Sequence, residues 1–484
     1  MGTEFSKKLA AHTTPIPGVV LYDLPVHGDN RGWFKENWQR EKMMALGLPD
    51  FRPVQNNISF NEKAGTTRGI HAEPWDKFIS VATGRIFGAW VDLREGPSFG
   101  AVFTAELDPG QAIFIPCGVG NAFQTLEDNT AYTYLVNDHW SADAQGEYTF
   151  LNLADETASI AWPIPLEEAE LSDKDKANPR LADVVPMPRK RILVVGADGQ
   201  LGKALRKLYD GDSAVEFAGR AEFDLGSDAS FGARNWQNYS TIINAAAYTA
   251  VDAAETPDGR RTAWAVNVTA VARLARAAVE HNLILVHVSS DYVFDGTRAT
   301  HEESEPVSPL GVYGQTKAAG DAVVSVVPRH YILRTSWVIG DGSNFVRTMA
   351  SLAERGVEPS VVNDQVGRLS FTEDIAAGIR HLLTTGAPFG TYNLSNDGEP
   401  QSWADIAAEV YELTGGARTA VTGVSTAEYF KDKSAAPRPQ TSTLELGKIA
   451  AQGFHPPSAG TRLRDYLGRD VRTHPEDAGV GPSR

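Results

Sequence analysis

Arg191-Ile192-Leu193-Val194-Val195 runs straight into Gly196-Ala197-Asp198-Gly199-Gln200-Leu201-Gly202, and a helix-like pattern follows through Leu208. This order of short apolar strand, glycine-rich turn and helix leaves the chain few options. A strand of this kind is buried on both faces, which calls for a parallel sheet covered by crossover helices. The glycines allow a tight turn, close approach of backbone N–H groups to a pyrophosphate and close helix packing, while the helix N-terminus favours negative charge. Gly196, Gly199, Gln200, Leu201 and Gly202 are therefore candidates for holding a dinucleotide, with a purely structural turn as the alternative. The alternation continues downstream: 241–245, 283–289 and 331–335 read as strands and 264–281 as a helix.

The residues before this run obey another rhythm. Lys77-Phe78-Ile79-Ser80-Val81, Ile86-Phe87-Gly88-Ala89-Trp90-Val91 and Ala131-Tyr132-Thr133-Tyr134-Leu135-Val136 are rich in β-branched and aromatic side chains, between turn signals such as Asp108-Pro109-Gly110. Such close spacing predicts an all-β barrel or jelly roll. From 162 to 188 the period is lost over five prolines, ending at Pro186-Met187-Pro188. The expected division is a jelly roll over 1–185, a linker at 186–190 and a doubly wound α/β domain over 191–484.

Composition narrows the function classes. A formal charge of −16 with no basic stripe argues against nucleic acid as a partner. No stretch reaches the roughly 18 consecutive apolar residues of a membrane span, and no signal peptide is evident, so a cytoplasmic location is expected. The lone Cys117 rules out an internal disulfide and a thiolate metal cage. Met1 to Ser6 formally fit a myristoylation pattern, read here as a chance match.

Within the second half, Phe217-Ala218-Gly219-Arg220 ends the next strand, where an acid on the ribose would mark an NAD site. Arg220 instead suits a 2′-phosphate, and so NADPH with NADH as the alternative; a solvent-facing arginine is the bland reading. Asp224 and Leu225 fall where an adenine would be flanked. Ser290 closes a strand, and Tyr313 and Lys317, four apart, share one helix face. The ammonium can lower the phenol's proton affinity while the serine hydroxyl holds an oxyanion.

These residues resemble the extended short-chain dehydrogenase/reductases with a Rossmann domain and small substrate lobe, and among them the dTDP-4-dehydrorhamnose reductase family. The resemblance is carried by Asn244-Ala245-Ala246-Ala247-Tyr248-Thr249-Ala250-Val251-Asp252, Asp291-Tyr292-Val293-Phe294-Asp295-Gly296, Leu333-Arg334-Thr335-Ser336-Trp337-Val338 and Arg438-Pro439-Gln440-Thr441-Ser442. It implies that Ala245, Ala246, Ala247, Tyr248 and Thr249 line the cofactor. It also implies that Tyr313 donates a proton with Lys317 and Ser290 assisting, and that Asp291, Tyr292 and Trp337 contact a deoxysugar. Gly367-Arg368-Leu369-Ser370 departs from the small-Pro-Thr stretch usual there.

In the first half, position alone gives His71 two readings, a satisfied strand histidine or a base, and Tyr134 reads as a core aromatic. The surrounding motifs resemble the dTDP-4-dehydrorhamnose 3,5-epimerase family, a cupin-type jelly roll: Gly28-Asp29-Asn30-Arg31-Gly32-Trp33-Phe34-Lys35-Glu36, Val54-Gln55-Asn56-Asn57-Ile58-Ser59 and Leu171-Ser172-Asp173-Lys174-Asp175. The resemblance implies His71 as base, Asp175 as its partner and Tyr134 as acid, with Arg68 and Lys77 stabilising enolate and diphosphate. Arg31, Phe34, Glu36, Gln55 and Asn57 would hold nucleotide, some of them from the partner in a homodimer through the barrel. No metal is expected. Ala72-Glu73 and Asn121 stand where the family has Tyr-Gln and a histidine.

Together the halves imply a bifunctional enzyme that epimerises dTDP-4-dehydro-6-deoxy-D-glucose at C3 and C5 and reduces its C4 ketone to dTDP-L-rhamnose. The alternatives are inversion at a single centre, giving another dTDP-6-deoxyhexose, and a non-catalytic NADP-binding regulatory subunit.

Overall fold

The computed structural model describes residues 7–139, 146–431 and 435–473, and divides into two compact units between Arg189 and Lys190. In the first unit the strands are β1 (Ala10–Thr13), β2 (Val20–Asp23), β3 (Val26–Asp29), β4 (Gly32–Lys35), β5 (Gln55–Asn61), β6 (Thr67–Ala72) and β7 (Lys77–Thr83). They continue as β8 (Ile86–Asp92), β9 (Val102–Leu107), β10 (Gln111–Ile115), β11 (Val119–Thr125), β12 (Thr130–Val136) and β13 (Thr149–Phe150). Two antiparallel sheets result, ordered β1-β2-β10-β7-β12-β5 and β13-β6-β11-β8-β9. Ile79, Ile113, Trp90 and Phe123 fill one core between them. The period-2 alternation of β5 and the nearly continuous burial of β7 follow from their places at the edge and in the middle of the six-stranded sheet. Met187 of the expected linker is buried and bonds to Leu93 and Glu95 through its backbone, so this stretch packs as part of the β unit.

The second unit is built on a parallel sheet of β14 (Arg191–Val195), β15 (Val215–Ala218), β16 (Tyr239–Asn244), β17 (Ile284–Ser290), β18 (His330–Thr335) and the strand Gly390–Asn393. Their order is β15-β14-β16-β17-β18 and then Gly390–Asn393. The order reverses at β14, so a crevice opens beyond the carboxyl ends of β14 and β16. Separate apolar clusters cover the two faces: Leu274, Ala278 and Val324 on one, Leu205, Ile375 and Ile379 on the other. A third core around Ile339, Val346, Leu369, Ile406, Val410 and Leu463 makes a smaller lobe beside the carboxyl ends. No described helix is long and apolar enough to cross a membrane.

Candidate active sites

In the β unit a cavity of about 520 Å³ lies between the sheets and is lined by Arg68, His71, Glu73, Lys77, Tyr134 and Asp175, among others. β6 supplies Arg68 and His71; β7 and β12, in the facing sheet, supply Lys77 and Tyr134. Gly69 sets the aim of β6. At φ +121° its backbone suits only glycine, and a Cβ there would meet Ala122 Cβ at 2.5 Å and the Asn121 carbonyl oxygen at 2.6 Å.

His71 Nε2 lies 2.7 Å from Asp175 Oδ1. A carboxylate on Nε2 keeps the proton there and leaves Nδ1 as the basic nitrogen. Asp175 stands in the short helix Asp173–Lys176, whose N-cap Ser172 accepts from the Asp175 N–H at 3.1 Å. Burial works against its charge, but the bond to His71, the histidine's charge, Ser172 and the Gly69 N–H together hold it below the usual carboxylate range. Opposite, Tyr134 is pushed up by burial and by the Glu73 carboxylate, with Arg68 pulling the other way. Lys77 lies 5.3 Å from the Tyr134 ring centroid and pairs with Glu73. The departures from the family pattern are thus built in: Glu73 takes Lys77, while Asn121 accepts from Trp90 Nε1 at 3.0 Å and donates to the Tyr132 hydroxyl at 3.0 Å.

Not every expected residue reaches this cavity. Arg31 is 84% exposed and pairs with Asp29, Glu36 pairs with Lys42, and Phe34 is 66% exposed. Gln55 donates to Asn57 at 2.8 Å, on the face of β5 that also carries the cavity-lining Ser59. Among the described residues no group of three or more His, Cys, Asp or Glu is placed to hold a metal ion.

In the α/β unit two adjoining cavities share Gly199, Ala245 and Ala247. One, of about 730 Å³, is lined by Gly196, Arg220, Asp224, Leu225, Ala246 and Tyr248. The other, of about 600 Å³, holds Gln200, Leu201 and Thr249 with Ser290, Asp291, Tyr292, Tyr313, Lys317 and Trp337. The cradle fits a dinucleotide. Gly196 has φ +79°, and a Cβ on it would sit 2.6 Å from the Ala246 nitrogen. Gly202 lines neither cavity; its Cβ would meet the Gly196 carbonyl oxygen at 2.4 Å, so it lets the helix Gln200–Leu208 close on the turn. That helix has no side-chain cap, leaving its first N–H groups open to an anion. Arg261, which no motif pointed to, joins Arg220 in the same cavity.

Tyr313 and Lys317 lie on the helix Val312–Ser325. Burial pushes the phenol up to about 12, with Ser290 drawing it back by a hydrogen bond. Burial brings the Lys317 ammonium down to about 8 against the pull of Asp321. Its Nζ donates to the Val288 carbonyl at 2.7 Å. Burial raises Asp291 to about 6, against hydrogen bonds from Ser442 and Ser290; its Oδ1 accepts from Ser290 Oγ at 2.9 Å. Trp337, at φ +43°, stacks on Trp403 with centroids 3.8 Å apart. A Cβ on Gly367 would come within 3.1 Å of the Trp337 ring, so the departing stretch forms the back of that stack. Trp403 was invisible to motif reading because only the lobe's packing brings it to Trp337.

The family model of the RmlD substrate binding domain matches residues 190–471, and that of dTDP-4-dehydrorhamnose 3,5-epimerase matches 13–183. The chain is 49% identical to a "Protein RmlC homolog" of Streptococcus pyogenes serotype M6 over 39% of this chain and 98% of that protein. It is 37% identical to a dTDP-4-dehydrorhamnose reductase of Aggregatibacter actinomycetemcomitans over 55% of this chain and 94% of that one. A crystal structure of dTDP-4-dehydrorhamnose reductase from Bacillus anthracis in complex with NADP aligns with a TM-score of 0.54 at 31% identity, covering 58% of this chain and 99% of that one. The chain therefore belongs to the dTDP-4-dehydrorhamnose reductase family in its second unit and to the dTDP-4-dehydrorhamnose 3,5-epimerase family in its first, the two fused in one polypeptide.

Proposed function

We propose that the chain performs two consecutive steps: epimerisation of dTDP-4-dehydro-6-deoxy-D-glucose at C3 and C5, then NADPH-dependent reduction of the C4 ketone to dTDP-L-rhamnose. The observation that carries this reading is one complete acid–base set in each unit. In the first, His71 and Tyr134 stand on facing sheets. His71, oriented by Asp175, takes a proton from a carbon beside the ketone, and the electron pair moves onto the carbonyl oxygen as an enolate. Lys77 and Arg68 offset that charge. Tyr134 returns a proton on the opposite face, after which phenolate and imidazolium exchange protons with solvent, so the step is a net isomerisation.

In the second unit the glycine cradle, the alanines 245–247, Arg220 and Arg261 would hold NADPH, the two arginines meeting its 2′-phosphate. When bound, NADPH supplies the hydride for the ketone carbon. Ser290 holds the ketone oxygen, Tyr313 gives it a proton, and Lys317 offsets the phenolate left behind. Asp291, Tyr292 and Trp337 position the sugar. The retained Ser290, Tyr313 and Lys317 weigh against a non-catalytic NADP-binding role.

We further read the β unit as a homodimer. β5 ends its sheet and exposes Ile58 and Phe60; Val54 just before it and Phe34 on the β3–β4 hairpin are exposed too, an apolar set that a second copy would cover. Arg31, Phe34 and Glu36, remote from the cavity of their own chain, would then serve the partner's nucleotide. A reducing cytoplasm suits both NADPH and the free Cys117.

The test supplies dTDP-4-dehydro-6-deoxy-D-glucose and NADPH in deuterated water. NADPH consumption is expected to vanish in both His71→Ala and Tyr313→Phe, with solvent deuterium entering the sugar only in Tyr313→Phe. Exchange that persists in His71→Ala would remove the assigned base. Because Glu73 and Asn121 depart from the family in the cavity itself, product stereochemistry by NMR decides between double inversion and inversion of one centre.

A further inference from the structure

The helix Val312–Ser325 carries more than the Tyr313–Lys317 pair. Asp321 lies four residues past Lys317, so Tyr313, Lys317 and Asp321 follow one another along a single helix face. Lys317 and Asp321 are removed from water, at 1% and 4% exposed, while Tyr313 is half-buried where it lines the cavity. A carboxylate so placed is rare without a partner, and here Arg334 of β18, itself 6% exposed, donates from Nε to Asp321 Oδ2 at 3.2 Å. Arg334 is held in turn by the Glu303 carbonyl at 3.2 Å and by the Phe294 ring at 5.0 Å. Neither Asp321 nor Arg334 lines the substrate or cofactor cavities.

We propose that Asp321, fixed by Arg334, is a positioning residue that sets the proton affinity of the Tyr313–Lys317 pair and so keeps the reductase's acid loaded. This rests on the reading of Tyr313 and Lys317 as the proton-transfer pair.

The charges around Lys317 fix the sign. On its own helix stand Tyr313 and Asp321; from β17 come His287 and Ser290, and from the turn just after it Asp291; from β18 comes Arg334 behind Asp321. His287 Nε2 is 3.5 Å from Lys317 Nζ. Its Nδ1 faces the Asn244 amide nitrogen at 3.1 Å, and the Asn244 carbonyl oxygen is engaged by the Ala246 N–H. Burial and the neighbouring ammonium keep this ring neutral, so it offers Lys317 no counter-charge. Asp291, raised by burial to about 6 and bonded to Ser290, also raises Tyr313, ahead of Asp321, but it does not act on Lys317. Asp321 is the anion that acts on both members of the pair, raising Tyr313 and Lys317 alike. Burial pushes Asp321 upward too, while Arg334, the Ser289 hydroxyl and Lys317 draw it back toward the charged form. An anion near two coupled groups makes a proton harder to remove from either, so the pair as a whole titrates higher. Without it, Arg334 would stand as an uncompensated buried cation.

The test is the pH profile of NADP⁺-linked oxidation of dTDP-L-rhamnose by the full chain, which bypasses the epimerase. Here the pair must lose its proton, so the rate rises with pH. In Asp321→Asn the rising limb is expected to move down by about one pH unit; in Asp321→Glu, which restores the charge, it stays near the wild-type position. A cofactor-free readout accompanies it: the Lys317 resonance in isotope-labelled lysine NMR, assigned by its loss in Lys317→Arg, should titrate lower in Asp321→Asn by a similar amount. An unmoved limb and resonance in Asp321→Asn would overturn the proposal, as would equal displacement in the Asn and Glu variants, which would mark a packing role alone. Tyr313→Phe is run beside them: full activity there would instead remove the underlying assignment of the acid.

Discussion

In the proposed epimerase mechanism Asp175 ties chemistry and stability to the same bond. Its carboxylate is held below the usual range largely by His71, so it stabilises the folded unit above its unfolded value of about 3.9, and that contribution is lost as pH falls through the folded value. Asp175→Asn is therefore expected to lower the melting temperature at neutral pH and to flatten its decline below about pH 4, read by circular dichroism across a pH series. Epimerase turnover should fall with it, by about 10²- to 10⁴-fold for a base left without its orienting carboxylate, measured as deuterium entry at C3 and C5. The His71 motif named the residue; the partner came with a second motif some hundred positions away, and only the fold shows them 2.7 Å apart. Arg261, Trp403 and Asp321 had no such motif. Trp403 meets Trp337 only through the lobe's packing, and Asp321 finds Arg334 only across the helix–sheet contact.

Among elements, β6 carries the largest share of the proposed epimerase site in the fewest residues. Arg68 and His71 flank Gly69, and β6 meets β11 across a register shift between Asn121 and Phe123. Gly69→Ala would drive a methyl group against the Ala122 side chain and the Asn121 carbonyl in a backbone conformation that strains any side chain. The expected outcome is loss of deuterium exchange with NADP⁺-linked oxidation of dTDP-L-rhamnose retained, since the reductase site stands in the other unit. Loss of both activities would mean that the strand supports the folding of the whole chain. The strand, glycines and helix at 191–208 were legible because turn, cap and sheet topology all impose the same residues. The β3–β4 hairpin and β5 were legible as motifs but not as places. A strand pattern says which residues share a face, and it does not say whether that face meets the chain's own cavity or a second copy.

At the scale of the whole molecule, the fusion joins a reversible isomerisation to a reduction that removes its product. An epimerase equilibrium that leaves little of the epimerised ketone is drawn forward when the reductase consumes it, and this requires only that both sites act on the same pool. Mixing His71→Ala chains with Tyr313→Phe chains should therefore restore NADPH consumption that neither supports alone, because the ketone made by one chain can be reduced by the other. Recovery should begin after a lag that shortens as protein concentration rises, reflecting the time needed to fill the pool. The comparison that decides whether fusion does more is the wild-type chain at equal site concentration. An equal lag means transfer through bulk solution, with fusion serving to keep the two activities in fixed ratio. A wild-type lag that is shorter and independent of concentration would require the intermediate to pass between sites on the same assembly.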